Sequence, residues 1–396
     1  MVSLANMFTE TAPPASVATP FSRKNPFPAP VLTRRRLDGP GSEKETFHYE
    51  FSLEQSGFIY EPGDSLGVFP ANAPELVDEI INLLGFIGEE EVAGTSGQST
   101  SLRAALLRER TITAPSRQFV QLVAERIAAA RFLLEYCDPN QRTKLDAYLW
   151  GRHVVDLATE YAELRNKLSA SEFAGSLSKL QPRLYSIASS LKRHSEQAHL
   201  LVTNVGFTSH GRSRKGVCTS FLSERLEEGA RVPAFIHSAK HFRLPDDPSA
   251  PIIMIGVGTG LAPYRGYLQE REAVGATGRN WLFFGEQRRA ANFYHQEEFA
   301  AHAASGLLTR FETAFSRDQS QKVYVQHRIR EAGRDVWSWL KDGAYLYLCG
   351  DAERMAPDVD AAIHAVAEEH GGMSKEAAVE YVANLRTQKR YRRDVY

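Results

Sequence analysis

Cysteine is scarce: the 396 residues hold three, Cys137, Cys218 and Cys349, far apart and never in CxxC spacing. That pattern excludes a disulfide framework and offers no zinc-ligand set. No metal site is expected, and a reducing, cytoplasmic setting is. No apolar run approaches the roughly 18 residues that a bilayer span needs, and the first residues lack a basic stretch followed by an apolar one. The chain is therefore expected to be unexported, with no membrane partner. An excess of either charge is missing too, since 47 Lys and Arg face 48 Asp and Glu for a formal net charge of -1. So balanced a surface gives no general attraction to nucleic acid, and the basic runs at 34–36 and 389–393 read as local solvated faces. No internal repeat is evident.

With 43% hydrophobic residues, a chain of this length can bury two cores. Residues 1–29 are rich in Ala, Pro, Ser and Thr and cannot bury enough surface to offset chain entropy, so a flexible arm is expected there. Over 30–73 the pattern alternates, predicting strands at 30–33, 46–53 and 65–70 with a turn at Glu61-Pro62-Gly63-Asp64. Residues 74–177 show helical spacing instead, as in Leu76, Ile80, Ile81 and Leu84 before Gly85, and again through 119–137. Strand signals return over 178–246, at 183–187, 199–203 and 231–236. The first and third segments thus complete one antiparallel barrel around a helical insertion. Across 247–396, short apolar runs at 252–255, 281–284, 309–314 and 345–349 alternate with amphipathic helices, the pattern of a doubly wound parallel sheet. The expected class is α/β plus an antiparallel β-barrel.

Gly258-Thr259-Gly260 falls where a strand turns into a helix, with Pro263 suited to the first helical turn. Glycines there let backbone amides approach a pyrophosphate at the positive helix end, although tight turns need glycine with or without a ligand. Three later strand ends share that sheet edge, where open α/β sheets bind ligands: Gly285, Ser316-Arg317 and Cys349-Gly350-Asp351. Ser316, Arg317, Lys322, Tyr324 and Gln326 lie within eleven residues. They offer two cations, two hydroxyls and an amide, the donors that a ribose 2′-phosphate and a stacked adenine require. Glu286 dissents, because an acid ending the second strand often holds an unphosphorylated ribose. Two cations against one acid favour NADPH.

In the barrel half, Arg183 offers a partner for a flavin pyrophosphate, Tyr185 a stacking surface and Ser186 a hydrogen bond to the ring. Gly216-Val217-Cys218-Thr219 opens a helix whose amides can face the same pyrophosphate, and Cys218 reads as a packing residue of that loop rather than a nucleophile. The chain ends on Tyr396 without a polar tail, although ends ordinarily fray. That residue is either a docking anchor or a cover over the flavin.

These motifs, with Arg183-Leu184-Tyr185-Ser186-Ile187-Ala188-Ser189-Ser190, Ser316-Arg317-Asp318-Gln319, Lys322-Val323-Tyr324-Val325-Gln326 and the ending from Arg390 to Tyr396, resemble the ferredoxin-NADP-reductase-type module of the diflavin reductases, nearest to its sulfite reductase branch. The resemblance runs over about residues 30–396. It implies FAD contacts at Arg183, Leu184, Tyr185, Ser186, Gly216 to Thr219 and Tyr396, and at Phe207, which stands where the family usually has a tyrosine. It implies NADP contacts at Ser316, Arg317, Lys322, Val323, Tyr324, Val325, Gln326 and Asp358, beside Gly258, Thr259, Gly260 and Asp351. Ser186, Cys349 and Asp394 match the polar group around the reacting carbon, and Tyr396 the terminal aromatic over the flavin. The implied activity is FAD-dependent NADPH oxidation serving sulfite reduction in sulfur assimilation. Residues 1–30 offer no flavodoxin-like domain, so the implied acceptor is a sulfite reductase haemoprotein subunit carrying sirohaem and an iron-sulfur cluster, or a ferredoxin- or flavodoxin-type carrier. A stand-alone ferredoxin or flavodoxin reductase would use the same residues. A noncatalytic flavin-binding scaffold would show eroded motifs.

Overall fold

In the computed structural model residues 19–396 are described, so most of the arm expected over 1–29 lies outside the described residues. Its described end is packed: Phe21 meets Phe27 and Phe58 edge-on, with ring centroids 5.0 and 6.3 Å apart, and the first strand already begins at Phe27. The strands before residue 250 are β1 (Phe27–Arg36), β2 (Thr46–Ser52), β3 (Ser65–Val68), β4 (Glu91–Ala93), β5 (Ser99–Ser101), β6 (Arg183–Ser186), β7 (Gln197–Thr203), β8 (Gly206–Ser209), β9 (Arg212–Lys215) and β10 (Arg231–His237). Six of them form one antiparallel sheet in the order β6-β3-β10-β1-β2-β7. Alternate residues such as Tyr49 and Phe51, Leu200 and Val202, and Val232 and Ala234 fill its interior, as period-two patterning requires. The two ends of the sheet meet where Ala188 N–H donates to His199 O at 2.8 Å, which rolls it into a barrel. Within the sheet, Gly67 of β3 leaves room for its β10 partner, because a Cβ there would lie 2.3 Å from the Phe235 ring.

The insertion between β3 and β6 has its own core, built on Ile80, Leu84, Leu106, Phe119, Val123, Leu157 and Phe173. Helix Pro74–Leu84 starts on proline and ends on Gly85 in the left-handed region (φ 79°), the asymmetry that helix ends favour. Helix Ala170–Ser176 carries a capping box, with Ser169 Oγ accepting from Glu172 N and Glu172 Oε2 accepting from Ser169 N. Two features depart from an all-helical reading. The β4–β5 hairpin lies inside the insertion, and the single helix expected over 119–137 breaks at Ile127, whose extended backbone (φ -120°, ψ 118°) separates Arg117–Arg126 from Leu133–Tyr136.

The second core is a five-stranded parallel sheet of β11 (Ile252–Val257), β12 (Asn280–Glu286), β13 (Arg310–Phe315), β14 (Tyr345–Gly350) and β15 (Tyr391–Val395), in the order β13-β12-β11-β14-β15. Ile253 and Ile255 face one buried layer, Ile252 and Met254 the other, which explains why these strands read as unbroken apolar runs. β15 was not expected as a strand. It pairs in parallel with β14, placing Cys349 beside Asp394 and Gly350 beside Val395, and its edge position tolerates Arg392 and Arg393.

The two domains meet on a buried seam. Arg265, from helix Ala262–Ala273, donates to Ala188 O at 2.8 Å and to His199 Nδ1 at 3.1 Å across the interface, and to Glu298 Oε2 at 2.7 Å on its own side. His48 of β2 and His295 of the second domain add rings whose centroids lie 5.1 Å apart. His48, Glu50 and His199 hold potential ligand atoms within 4.8 Å of one another, yet the positive charge beside them is the Arg265 guanidinium. Burial first, and Arg265 second, push His48, His199 and His295 well below the ordinary imidazole range. Burial works against the Glu298 carboxylate, but Arg265 and Gln269 outweigh it and keep Glu298 low. The seam therefore holds neutral imidazoles against one guanidinium–carboxylate pair, with Glu50, Arg35 and His194 as the other titratable neighbours. An unfolded chain takes up protons on its histidines near pH 6.5 while the folded seam resists, so stability present above about 6.5 is lost as pH falls toward the depressed folded values. Thermal denaturation should show a melting temperature falling steadily from about pH 7 to about pH 5. A flat profile over that range would contradict this account of the seam.

Candidate functional site

Loop geometry decides what each strand end presents. Between β11 and its helix the chain makes a tight turn over Gly258–Leu261, with Gly258 at φ 58° and Pro263 in the first helical turn. A Cβ on Gly260 would lie 2.2 Å from Cys349 O, so only glycine lets this turn press against the end of β14. At the end of β13, Ser316 N–H donates to Glu286 O and Arg317 N–H to Gln287 O, at 2.9 and 2.8 Å. The carboxyl ends of β11, β12 and β13 border one cavity of about 580 Å³ whose walls include Gly285, Ser316, Tyr324, Val325, Gln326 and Asp358. Gln326 Nε2 donates to Asp358 Oδ2 at 2.9 Å. Asp351 borders the same space and accepts from Met355 N at 3.3 Å, capping the next helix. Backbone hydrogen bonds from that helix start are the largest influence on Asp351 and hold its carboxyl below the usual range.

A second cavity, about 470 Å³, lies on the domain seam and takes walls from both domains: Leu184, Tyr185 and Ser186 of β6, Thr219, Thr259, Asp394 and Tyr396. Ser186 Oγ donates to Asp394 Oδ2 at 2.9 Å across the interface. Cys349 lies fully buried; burial, with the Asp394 carboxylate next, pushes its thiol well above the ordinary value, while the Ser186 hydroxyl opposes that rise. Tyr396 is held by its backbone N–H on Gly350 O at 3.1 Å, and its hydroxyl lies 3.1 Å from Thr259 Oγ1. Its ring is nevertheless 67% exposed, so it is not packed away as a plain anchor. Tyr185 is pushed well above its usual range by burial and by the Cys218 thiol beside it, and burial raises Cys218 itself to about 11. A thiol so protonated is a packing group.

Gly216 starts helix Val217–Glu224 without any side-chain cap, and a Cβ on it would lie 2.6 Å from Thr219 Oγ1. An uncapped helix start of this kind offers its amides to an anion. A third cavity of about 710 Å³ touches the same start at Val217 and is lined by Arg212, Arg214, Lys215 and Arg225.

Several expected residues stand apart from these cavities. Phe207 of β8 is 48% exposed and borders neither the seam cavity nor the strand-end cavity. Arg183 is exposed and donates to Gln181 O at 3.2 Å. Lys322 is exposed, Val323 packs against the second core, and Arg317 is paired with Glu43 of the β1–β2 connection. Residues not anticipated from the sequence also reach the cavities, notably Lys44 at the strand ends and His237 and His241 at the seam. No local pattern marks them, because each comes from a segment distant in sequence from the motifs.

The donors fit the ligands the motifs suggest. Half-exposed Leu184 and Val205, with the more exposed Tyr396, give the seam cavity apolar walls for a flat ring, the uncapped helix start suits a pyrophosphate, and the glycine turn with Ser316 and Tyr324 suits a phosphorylated nucleotide. A barrel and a doubly wound sheet sharing such a seam define a two-domain flavin- and nicotinamide-binding oxidoreductase. Family comparison agrees with that class: the FAD binding domain family matches residues 19–221 and the oxidoreductase NAD-binding domain family matches residues 254–361. The chain belongs to the FAD-binding-domain flavoproteins. It is similar to the sulfite reductase [NADPH] flavoprotein alpha-component of Bacillus subtilis, at 43% identity over 95% of this chain and 62% of that one. The same-named proteins of Vibrio vulnificus and of Shewanella sp. strain MR-7 are also 43% identical, over 95% and 96% of this chain and 60% and 63% of theirs. The chain thus spans about three fifths of the length of these relatives.

Gly260→Ala should force the turn away from β14 and cost roughly 1–3 kcal/mol. Denaturation of the purified variant beside the wild type measures it, and equal melting temperatures would show that the turn has room to spare.

Proposed function

We propose that this chain oxidises NADPH and passes the electrons through FAD to an acceptor, as the flavoprotein component of a sulfite reductase. The observation that carries the reading is the seam cavity, where Ser186 of the barrel, the Asp394 carboxylate, Tyr396 and Thr259 of the glycine turn converge. FAD bound there would supply the chemistry of taking two electrons from a nicotinamide and releasing them singly.

The chain's own residues do the rest. Leu184 and Tyr185 present a barrel wall that would hold a flavin ring, and the amides of 217–219 would hold its pyrophosphate, with Arg183 close by on the same strand as Tyr185. Ser186, fixed by Asp394, holds a hydroxyl toward the ring. Tyr396 covers the open face and is kept there by Thr259 and Gly350, so it must swing aside for the nicotinamide to enter. Two backbone bonds, to Gly350 O and from Ala352 N–H, hold its main chain, while Thr259 alone holds its hydroxyl, so the movement is one of the side chain. Asp394 leaves a carboxylate at the point where a nicotinamide acquires positive charge, and Cys349 fills the floor beneath. On the nucleotide side, Ser316, Tyr324 and Gln326 line the cavity for the adenosine end. Arg317 is the cation for the 2′-phosphate, which it reaches by leaving Glu43.

We infer that the acceptor is a sulfite reductase haemoprotein, in keeping with the names of the relatives, and that the protein works in the cytoplasm. Among the described residues no helix is long and apolar enough to cross a membrane.

Steady-state kinetics of Arg317→Ala test the nucleotide assignment. Loss of a charge-assisted contact to the 2′-phosphate is expected to raise the NADPH KM about ten- to a hundredfold. NADH turnover should barely change. Equal losses with both nucleotides would make Arg317 a structural residue.

A further inference from the structure

The connection between β1 and β2 belongs to the barrel, yet its two adjacent charged residues end at the nucleotide cavity of the other domain. Glu43 pairs with Arg317, and Lys44 pairs with Glu286. The Lys44 ammonium lies 3.0 Å from Glu286 Oε2 and 3.8 Å from where a Cβ on Gly258 would stand. Glu286 Oε1 lies 3.9 Å from that same point, so the ion pair as a whole stands beside the glycine turn that ends β11. The Glu286 side chain is only 2% exposed. Its other bonds come from Tyr294 Oη at 3.2 Å and Gln287 N–H at 2.8 Å, so both oxygens are engaged within the protein.

The charges around the cavity make this pairing consequential. Besides Glu286, its walls carry Asp351, Glu353 and Asp358, against Lys44 and Arg354. Four carboxylates facing two cations would repel a nucleotide bearing several phosphates, most strongly from the buried acid, where water screens least. An acid at the end of the second strand also ordinarily selects an unphosphorylated ribose. Lys44 offsets the buried one of these acids, and without it four carboxylates would face Arg354 alone.

We propose that Lys44, delivered from the barrel domain, is a specificity-determining residue of the nucleotide site: it neutralises Glu286, so that a strand-end acid becomes a wall compatible with a 2′-phosphorylated nucleotide. The proposal rests on the reading of this cavity as the NADPH site. It makes that site complete only when the two domains are docked. It also gives the hairpin a second, opposed charge, since Glu43 holds Arg317 until a 2′-phosphate displaces it.

Calorimetric binding of 2′,5′-ADP and of 5′-ADP to the FAD-loaded protein tests this without turnover. The set is wild type, Lys44→Arg, Lys44→Met, Glu286→Gln and the Lys44→Met/Glu286→Gln pair. Lys44→Met should weaken 2′,5′-ADP by about tenfold or more and narrow its advantage over 5′-ADP, as truncating one partner of a buried charge pair does. Lys44→Arg and Glu286→Gln should each stay within about threefold of wild type, and the double variant should recover to the same range. Recovery is the decisive arm, because the double variant carries no unpaired buried acid and a role for Lys44 in folding alone would not restore 2′-phosphate preference. Unchanged binding by Lys44→Met, or a double variant as weak as Lys44→Met, overturns the proposal. Failure of the wild type to bind 2′,5′-ADP would instead remove the NADPH reading on which it rests.

Discussion

Everything at the seam depends on one buried guanidinium. Arg265 leaves the first helix of the nucleotide domain and meets the barrel at Ala188 O and His199 Nδ1, while Glu298 balances its charge from behind. A buried guanidinium is tolerable only when its protons and its charge are both matched, so the two domains have few relative placements that satisfy it. Ala188 follows β6 by two residues. Fixing its carbonyl against Arg265 also fixes Ser186 against Asp394, and the seam cavity with them.

The helix that carries Arg265 begins at the glycine turn, so one corner of the chain reaches both sites. Val257, just before the turn, borders the strand-end cavity, Thr259 and Ala262 border the seam cavity, and Arg265 holds the barrel. Gly260, packed against the end of β14, couples that turn to the strand whose neighbour β15 is followed by Tyr396. Nucleotide binding and flavin access are in this way properties of one rigid corner, with the β1–β2 connection reaching across to close it.

Much of the fold was legible because the physics is local. Strands such as Ile252–Val257 are buried on both faces and show as plain apolar runs, and Pro74 and Gly85 mark their helix at both ends. The misses have physical reasons as well. β15 is short, arginine-bearing and on an edge, so it carries no apolar run, and the break at Ile127 comes from a backbone turn that apolar periodicity does not register. At the candidate sites, Tyr185, Ser186, Thr259, Ser316 and Asp394 could be named because each lies in a compact motif, and the structure gathers them around two cavities. Phe207, Arg183 and Lys322 belong to equally recognisable motifs but stand outside both. Lys44 and Glu43 could not be named: their partners lie 242 and 274 residues away, and only the docked domains bring them together.

The central claim is that the seam cavity joins a flavin to the nicotinamide of a dinucleotide whose adenosine end carries a 2′-phosphate. Anaerobic titration of the FAD-loaded protein with NADPH, followed by visible absorbance, tests it most directly. The account predicts bleaching of the flavin at near-equimolar NADPH and little bleaching by the same amount of NADH over the same time. A flavin that stays oxidised under NADPH, or that responds identically to both nucleotides, would contradict it.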